Sequence, residues 1–129
     1  MKQYHGVDLH ASRLSKHTIS PSEEGIRRRT LTQATDLLEE SFFPLFGKDD
    51  VVCVEASTCT AWFVGELRGT GARVIVINPF DFKALYVMNK KTDKIDAKKL
   101  AEYVYHREAL QSECMEEVHV PDRGIQKLR

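Results

Sequence analysis

The chain reads as an α/β protein: a mixed five-stranded sheet with helices packed on it. Three observations predict this. Residues 2–31 hold three short β-prone runs joined by brief polar links, the pattern of an antiparallel meander. Residues 34–45 change to a helical apolar period. Two almost wholly apolar runs, at 51–55 and 73–77, then alternate with helical segments. Such runs suit strands covered on both faces, and the alternation implies parallel pairing with right-handed crossovers.

Residues 2–9 alternate loosely and form the first predicted strand, followed by a polar turn over 10–15. Residues 16–20 are a short β-prone run that stops at Pro21. Residues 22–25 read as a turn. Residues 26–31 carry Arg27, Arg28 and Arg29 and predict an edge strand, where charge discourages stray pairing; the same arginines could also touch a nucleic-acid backbone. Ala34, Leu37, Leu38, Phe42 and Leu45 follow helical spacing, with Thr30 and Gln33 as a possible capping box and Pro44 as a kink or stop. Ser57 or Thr58 caps the next helix, which Gly69 and Gly71 end. Trp62 and Phe63 lie on that helix facing the sheet and are expected in the core. After the strand at 73–77 comes Asn78-Pro79, then a short helix at 81–86 and a last helix from 92 to 108. Beyond residue 111 the periodicity fades, and the chain reaches Arg129 without a stop signal, so the expectation is a piece of a longer protein.

At 129 residues the chain is long enough for one domain with a real core, and 42% apolar with 29% charged residues reads as soluble and globular. Nineteen basic residues balance nineteen acids, so net charge says nothing of a nucleic-acid partner. Its distribution does. Lys83, Lys90, Lys91, Lys94, Lys98 and Lys99 surround Asp93 and Asp96, a setting that suits a phosphate polymer, although a solvated helix face explains it as well. Cys53, Cys59 and Cys114 have no paired spacing, which argues against a disulfide scaffold and for a reducing compartment, with Cys53 in the core. His5 and His10 flank Asp8 without the spacing of a zinc site. No signal peptide and no run of membrane-spanning length is visible.

Four acids on three segments are the candidate site. Asp8 ends the first strand, Glu55 ends the strand at 51–55, and Asp93 and Asp96 open the last helix. Asp93 and Asp96 share a side with Ala97, Leu100 and Val104, the apolar stripe that faces the protein. Turning carboxylates inward is costly unless a cation compensates them. Four converging carboxylates suit a hard divalent cation and the cleavage or transfer of phosphodiesters. Alternatives stay open: Asp93 as a helix cap with Asp96 a first-turn acid, Glu55 with a lysine partner, and Asp8 as an ordinary strand-end residue. Convergence requires a fold that puts the first strand beside the fourth.

These residues also carry a resemblance. Gly6-Val7-Asp8, Val54-Glu55-Ala56-Ser57 followed by Trp62, Val76-Ile77-Asn78-Pro79 with Lys83-Ala84-Leu85, and Lys91-Thr92-Asp93-Lys94-Ile95-Asp96-Ala97 resemble the DEDD transposases. Those are insertion-sequence recombinases related to the Piv and MooV DNA invertases. The resemblance implies a ribonuclease H-like (RuvC-like) domain over residues 1–110, with 111–129 the start of a connector to a C-terminal domain that carries a serine nucleophile. It implies Asp8, Glu55, Asp93 and Asp96 as catalytic ligands of Mg²⁺ or Mn²⁺, and action on branched or synapsed DNA. Nucleic acid is expected at Lys83, Lys90, Lys91 and Lys94. Further expectations are an element-encoded guide RNA, as some members use, a homo-oligomer in the full-length protein, no membrane partner, and a place in the bacterial cytoplasm at the nucleoid. Ser57 stands where the family often has threonine before glycine. Alone, the domain is expected to show little or no complete recombination. Two other readings remain: a stand-alone endonuclease for DNA junctions, and a non-catalytic assembly module whose acids are structural.

Overall fold

The computed structural model describes residues 2–56, 61–79 and 96–109. Five strands form one sheet: β1 (Gln3–Leu9), β2 (Arg13–Ser22), β3 (Gly25–Ala34), β4 (Asp50–Glu55) and β5 (Arg73–Ile77), in the spatial order β3-β2-β1-β4-β5. The first three are an antiparallel meander. β4 then lies parallel to β1, with Gly6 opposite Cys53 and Val7 opposite Val54, and β5 lies parallel to β4. The first strand is therefore beside the fourth, as the acid cluster requires. Helix α1 (Ala61–Gly69) makes the crossover from β4 to β5, and helix α2 (Ala97–Ala109) packs on the sheet. This is the mixed α/β sheet of the ribonuclease H-like class.

Strand alternation divides the core into two layers. On one face Tyr4, Ile19, Val51, Cys53, Ile75 and Ile77 meet Leu100, Ala101, Tyr103 and Val104 of α2. On the other, Val7, Leu14, Val52, Val54, Val74 and Val76 meet Phe42, Phe43, Phe46 and the inner side of α1. The apolar stripe expected on the last helix, Ala97, Leu100, Ala101 and Val104, is buried throughout.

Several local expectations need correction. β2 begins at Arg13 and continues through Pro21, which pairs with Ile26 beside the hairpin turn. Its polar residues fit a strand because β3 supplies partners: Ser15 Oγ lies 3.2 Å from Thr32 Oγ1, and His17 Nδ1 lies 2.7 Å from Thr30 Oγ1. Thr30 and Gln33 are thus strand residues rather than a capping box. The segment after β3 is not one α-helix. It winds as a 3₁₀ turn (Thr35–Leu37), a π turn (Leu38–Phe42) and a second 3₁₀ turn (Phe43–Leu45). Adjacent Phe42 and Phe43 are both buried. A regular α-helix turns about 100° per residue and would splay them apart. Uneven winding lets both reach Phe63, and Phe42 also meets Phe46 with centroids 4.9 Å apart. Trp62, expected in the core, is 38% exposed and meets Phe43 edge-on at 5.7 Å. The capping residues Ser57 and Thr58 and the helix at 81–86 lie outside the described residues.

Candidate functional site

Asp8 and Glu55 each follow the last pair of the β1–β4 ladder, Val7 and Val54. Asp8 alternates with Gly6 and Tyr4, and Glu55 with Cys53 and Val51, so both acids belong to the sheet face covered by α2. They stand at the same end of two neighbouring strands. Asp8 is 7% exposed, and its Oδ2 lies 3.0 Å from Nε2 of the half-exposed His10. Glu55 is half-buried and opposite Ile77, and the next amide, that of Ala56, donates to the Ile77 carbonyl at 2.9 Å.

The third acid arrives on α2. Gly6 is what lets this helix approach: a Cβ there would overlap the Ala97 carbonyl oxygen and the Ala101 amide nitrogen. The first turn of α2 therefore lies directly on β1, two residues from Asp8. Asp96 caps that turn. Its Oδ1 accepts the Lys99 amide at 2.9 Å, and its carbonyl accepts the Leu100 amide at 3.1 Å. Asp96 is thus the cap itself rather than a first-turn acid. Asp93, Lys83, Lys90, Lys91 and Lys94 lie outside the described residues. Among the described residues, no three His, Cys, Asp or Glu side chains stand close enough to hold a metal ion.

Sequence reasoning passed over three histidine contacts. His10 holds Asp8. His17 sits across from Gly6 on the α2 face, with its Nε2 buried and without a hydrogen-bond partner among the described residues. Burial lowers the His17 pKa, helped by Arg28 and Lys98 and opposed by Glu102 and Asp96. His5 lies on the opposite face. Its Nε2 is 2.7 Å from Asp50 Oδ1 and its Nδ1 is 2.8 Å from Thr18 Oγ1. Burial lowers the His5 pKa more than Asp50 raises it, so neutral His5 donates from Nε2 to Asp50 and accepts from Thr18. Burial alone would raise Asp50, but hydrogen bonds from His5 and the Gly47 amide, with the charge of Lys16, bring it below the ordinary carboxylate value. The only sequence signal for this pair was a histidine inside an apolar strand.

A protein-family model for the IS110-type DEDD transposases, described as Transposase, matches residues 5–129. The chain belongs to this DEDD transposase family. No curated protein matches it. Membership in the transposase family gives the chain a role in DNA transposition and makes DNA its partner. Among the described residues no helix is long and apolar enough to cross a membrane.

Proposed function

We propose that this chain is the catalytic domain for metal-dependent DNA strand cleavage and transfer, with Asp8, Glu55, Asp93 and Asp96 as the ligands of Mg²⁺ or Mn²⁺. The observation that carries the reading is the placement of Asp8 and Glu55 at adjoining strand ends, on the face where Asp96 caps α2. The donor chemistry fits, because every candidate ligand is a carboxylate oxygen and hard divalent cations favour such sets. A bound cation would supply activation of the attacking oxygen and stabilisation of the leaving one.

The chain's own residues prepare this chemistry. β1 is hydrogen-bonded on both sides, which fixes the backbone under Asp8. The His10 contact orients one Asp8 oxygen. The Lys99 amide holds one Asp96 oxygen and with it the carboxylate's direction. The amino end of α2 adds positive potential on the same face. Lys83, Lys90, Lys91 and Lys94 are the proposed DNA contacts beside the acids. On this reading residues 1–110 are the RuvC-like unit and 111–129 the start of a connector, and an element-encoded guide RNA and self-association are its further proposed partners.

The test is calorimetric titration of Mn²⁺ into the wild-type chain and its Asp8→Asn and Asp93→Asn variants, with and without branched DNA. Binding lost in both variants is the expected result, since acids distant in sequence then share one site. Wild-type binding that neither substitution alters, with DNA present, would make the acids structural and the domain an assembly module.

A further inference from the structure

The arginines of β3 point in alternate directions, and the two sides differ. Arg28, opposite Ile19, turns to the α2 face and meets Glu102 at 3.5 Å. Arg27 and Arg29, opposite Ser20 and Thr18, belong to the other face, and neither makes an ion pair among the described residues. There they border a groove of about 530 Å³ that crosses β1, β2 and β3. Its floor is polar, with Gln3, Thr18 and Ser20, and Lys16 stands among them. Lys16, Arg27 and Arg29 line it from this face and, among the described residues, no acid does, in a chain whose formal net charge is zero.

We propose that this groove seats the phosphodiester backbone of a nucleic acid, as a contact separate from the acidic centre on the opposite face. Lys16 is 6% exposed, held with its ammonium 5.1 Å from the centre of the Phe46 ring. Burial lowers its pKa and the Arg29 charge lowers it further, while Asp50 opposes both. Asp50, the acid that acts on Lys16, is already held by His5 and the Gly47 amide. Among the described residues positive charge is therefore concentrated beyond what nearby acids neutralise, and a bound polyanion would relieve it. Arg27 and Arg29, two residues apart on one strand, stand roughly 6.6 Å apart along the chain, a pitch that suits successive phosphates. The exposed edge of β3 leaves the groove open for a polymer to pass. Glu23 and Glu24 at the hairpin turn bound one end, and Leu31 and Leu45 flank the other.

This inference rests on the family's action on DNA and not on the metal reading. Its test is fluorescence anisotropy with a labelled DNA duplex and a labelled single-stranded RNA of equal length, over a salt series. Arg27→Gln/Arg29→Gln should weaken binding on the order of 10-fold and reduce the slope of log K against log salt by about two. Arg27→Lys/Arg29→Lys should keep most of that slope, which separates lost charge from lost structure. Loss with both polymers marks a shared backbone contact, and loss with one names the polymer that uses it. Unchanged affinity and slope in the glutamine variant, or no binding of either polymer by the wild type, would overturn the proposal. Mn²⁺ titration of the same glutamine variant should match the wild type, so failure at the acids and failure at the groove are read separately.

Discussion

Gly6 of β1 and Ala97 of α2 meet backbone to backbone, and this contact sets the height of the helix above the acidic strand. Gly6→Ala should therefore lift the first turn of α2, and Asp96 with it. Overpacking of this kind destabilises by about 1–3 kcal/mol and occasionally more. Urea unfolding should show a lower midpoint, and proposed Mn²⁺ binding should weaken in parallel. A wild-type midpoint would mean that α2 does not rest on β1 as described.

Asp96 has two separable duties, capping and the proposed ligation. Asp96→Ser keeps an oxygen for the Lys99 amide but removes the carboxylate, whereas Asp96→Ala removes both. Alanine should cost roughly 0.5–2 kcal/mol of stability and serine much less. Both should abolish metal-dependent cleavage. Cleavage that survives in the serine variant would reduce Asp96 to a cap.

The His5 environment sets an acid limit on stability. Its folded pKa lies below the ordinary 6.5, so the unfolded chain takes up the proton first as pH falls. The stabilising contribution is complete above about pH 6.5 and is lost as pH falls through the folded value. Asp50, lowered from 3.8, adds a further loss at still lower pH. Thermal melts should be level from neutral to mildly alkaline pH and decline below about 6.5, and His5→Gln should flatten the upper part of that decline. An unchanged profile in the variant would assign the decline to other groups, His17 first, because burial shifts it in the same direction.

Phe42 is fully buried among Phe43, Phe46 and Phe63. Phe42→Ala should destabilise by about 3–5 kcal/mol, enough to unfold a marginal domain. A loss below about 1 kcal/mol in chemical denaturation would show that the irregular turns adjust around the gap.

Legibility in the sequence followed the strength of the local pattern. β4 and β5 were readable to within a residue because β-branched runs bounded by Gly, Asp or Asn-Pro admit few alternatives. The meander was readable too, but the length of β2 was not, since Leu14 and Ser15 fall in a polar, turn-like stretch until Gln33 and Thr32 stand opposite them. The helical period over 34–45 misled: Ala34 ends β3, Leu37 and Leu45 are exposed, and of that stripe only Leu38 and Phe42 are buried, beside an adjacent buried Phe43 that regular winding would not suit. At the site, Asp8 and Glu55 were legible as acids ending apolar strands. Their shared face depends on parallel pairing of distant strands, which period alone cannot register. The partnership of His10 with Asp8 had no sequence signal and that of His5 with Asp50 only the histidine inside a strand, because each joins residues through tertiary geometry or a local bend.

The order β3-β2-β1-β4-β5 gives Asp8 a particular mechanical setting. Its strand is the middle one of five, so its amides exchange with solvent only when neighbours on both sides let go. β3, with one side unpaired among the described residues, can fray without disturbing it. The proposed acidic centre is thus built on the central strand of the sheet, and the arginine groove reaches out to an edge. A nucleic acid settling against β3 would hold that edge against fraying while the carboxylate strand stays as it was.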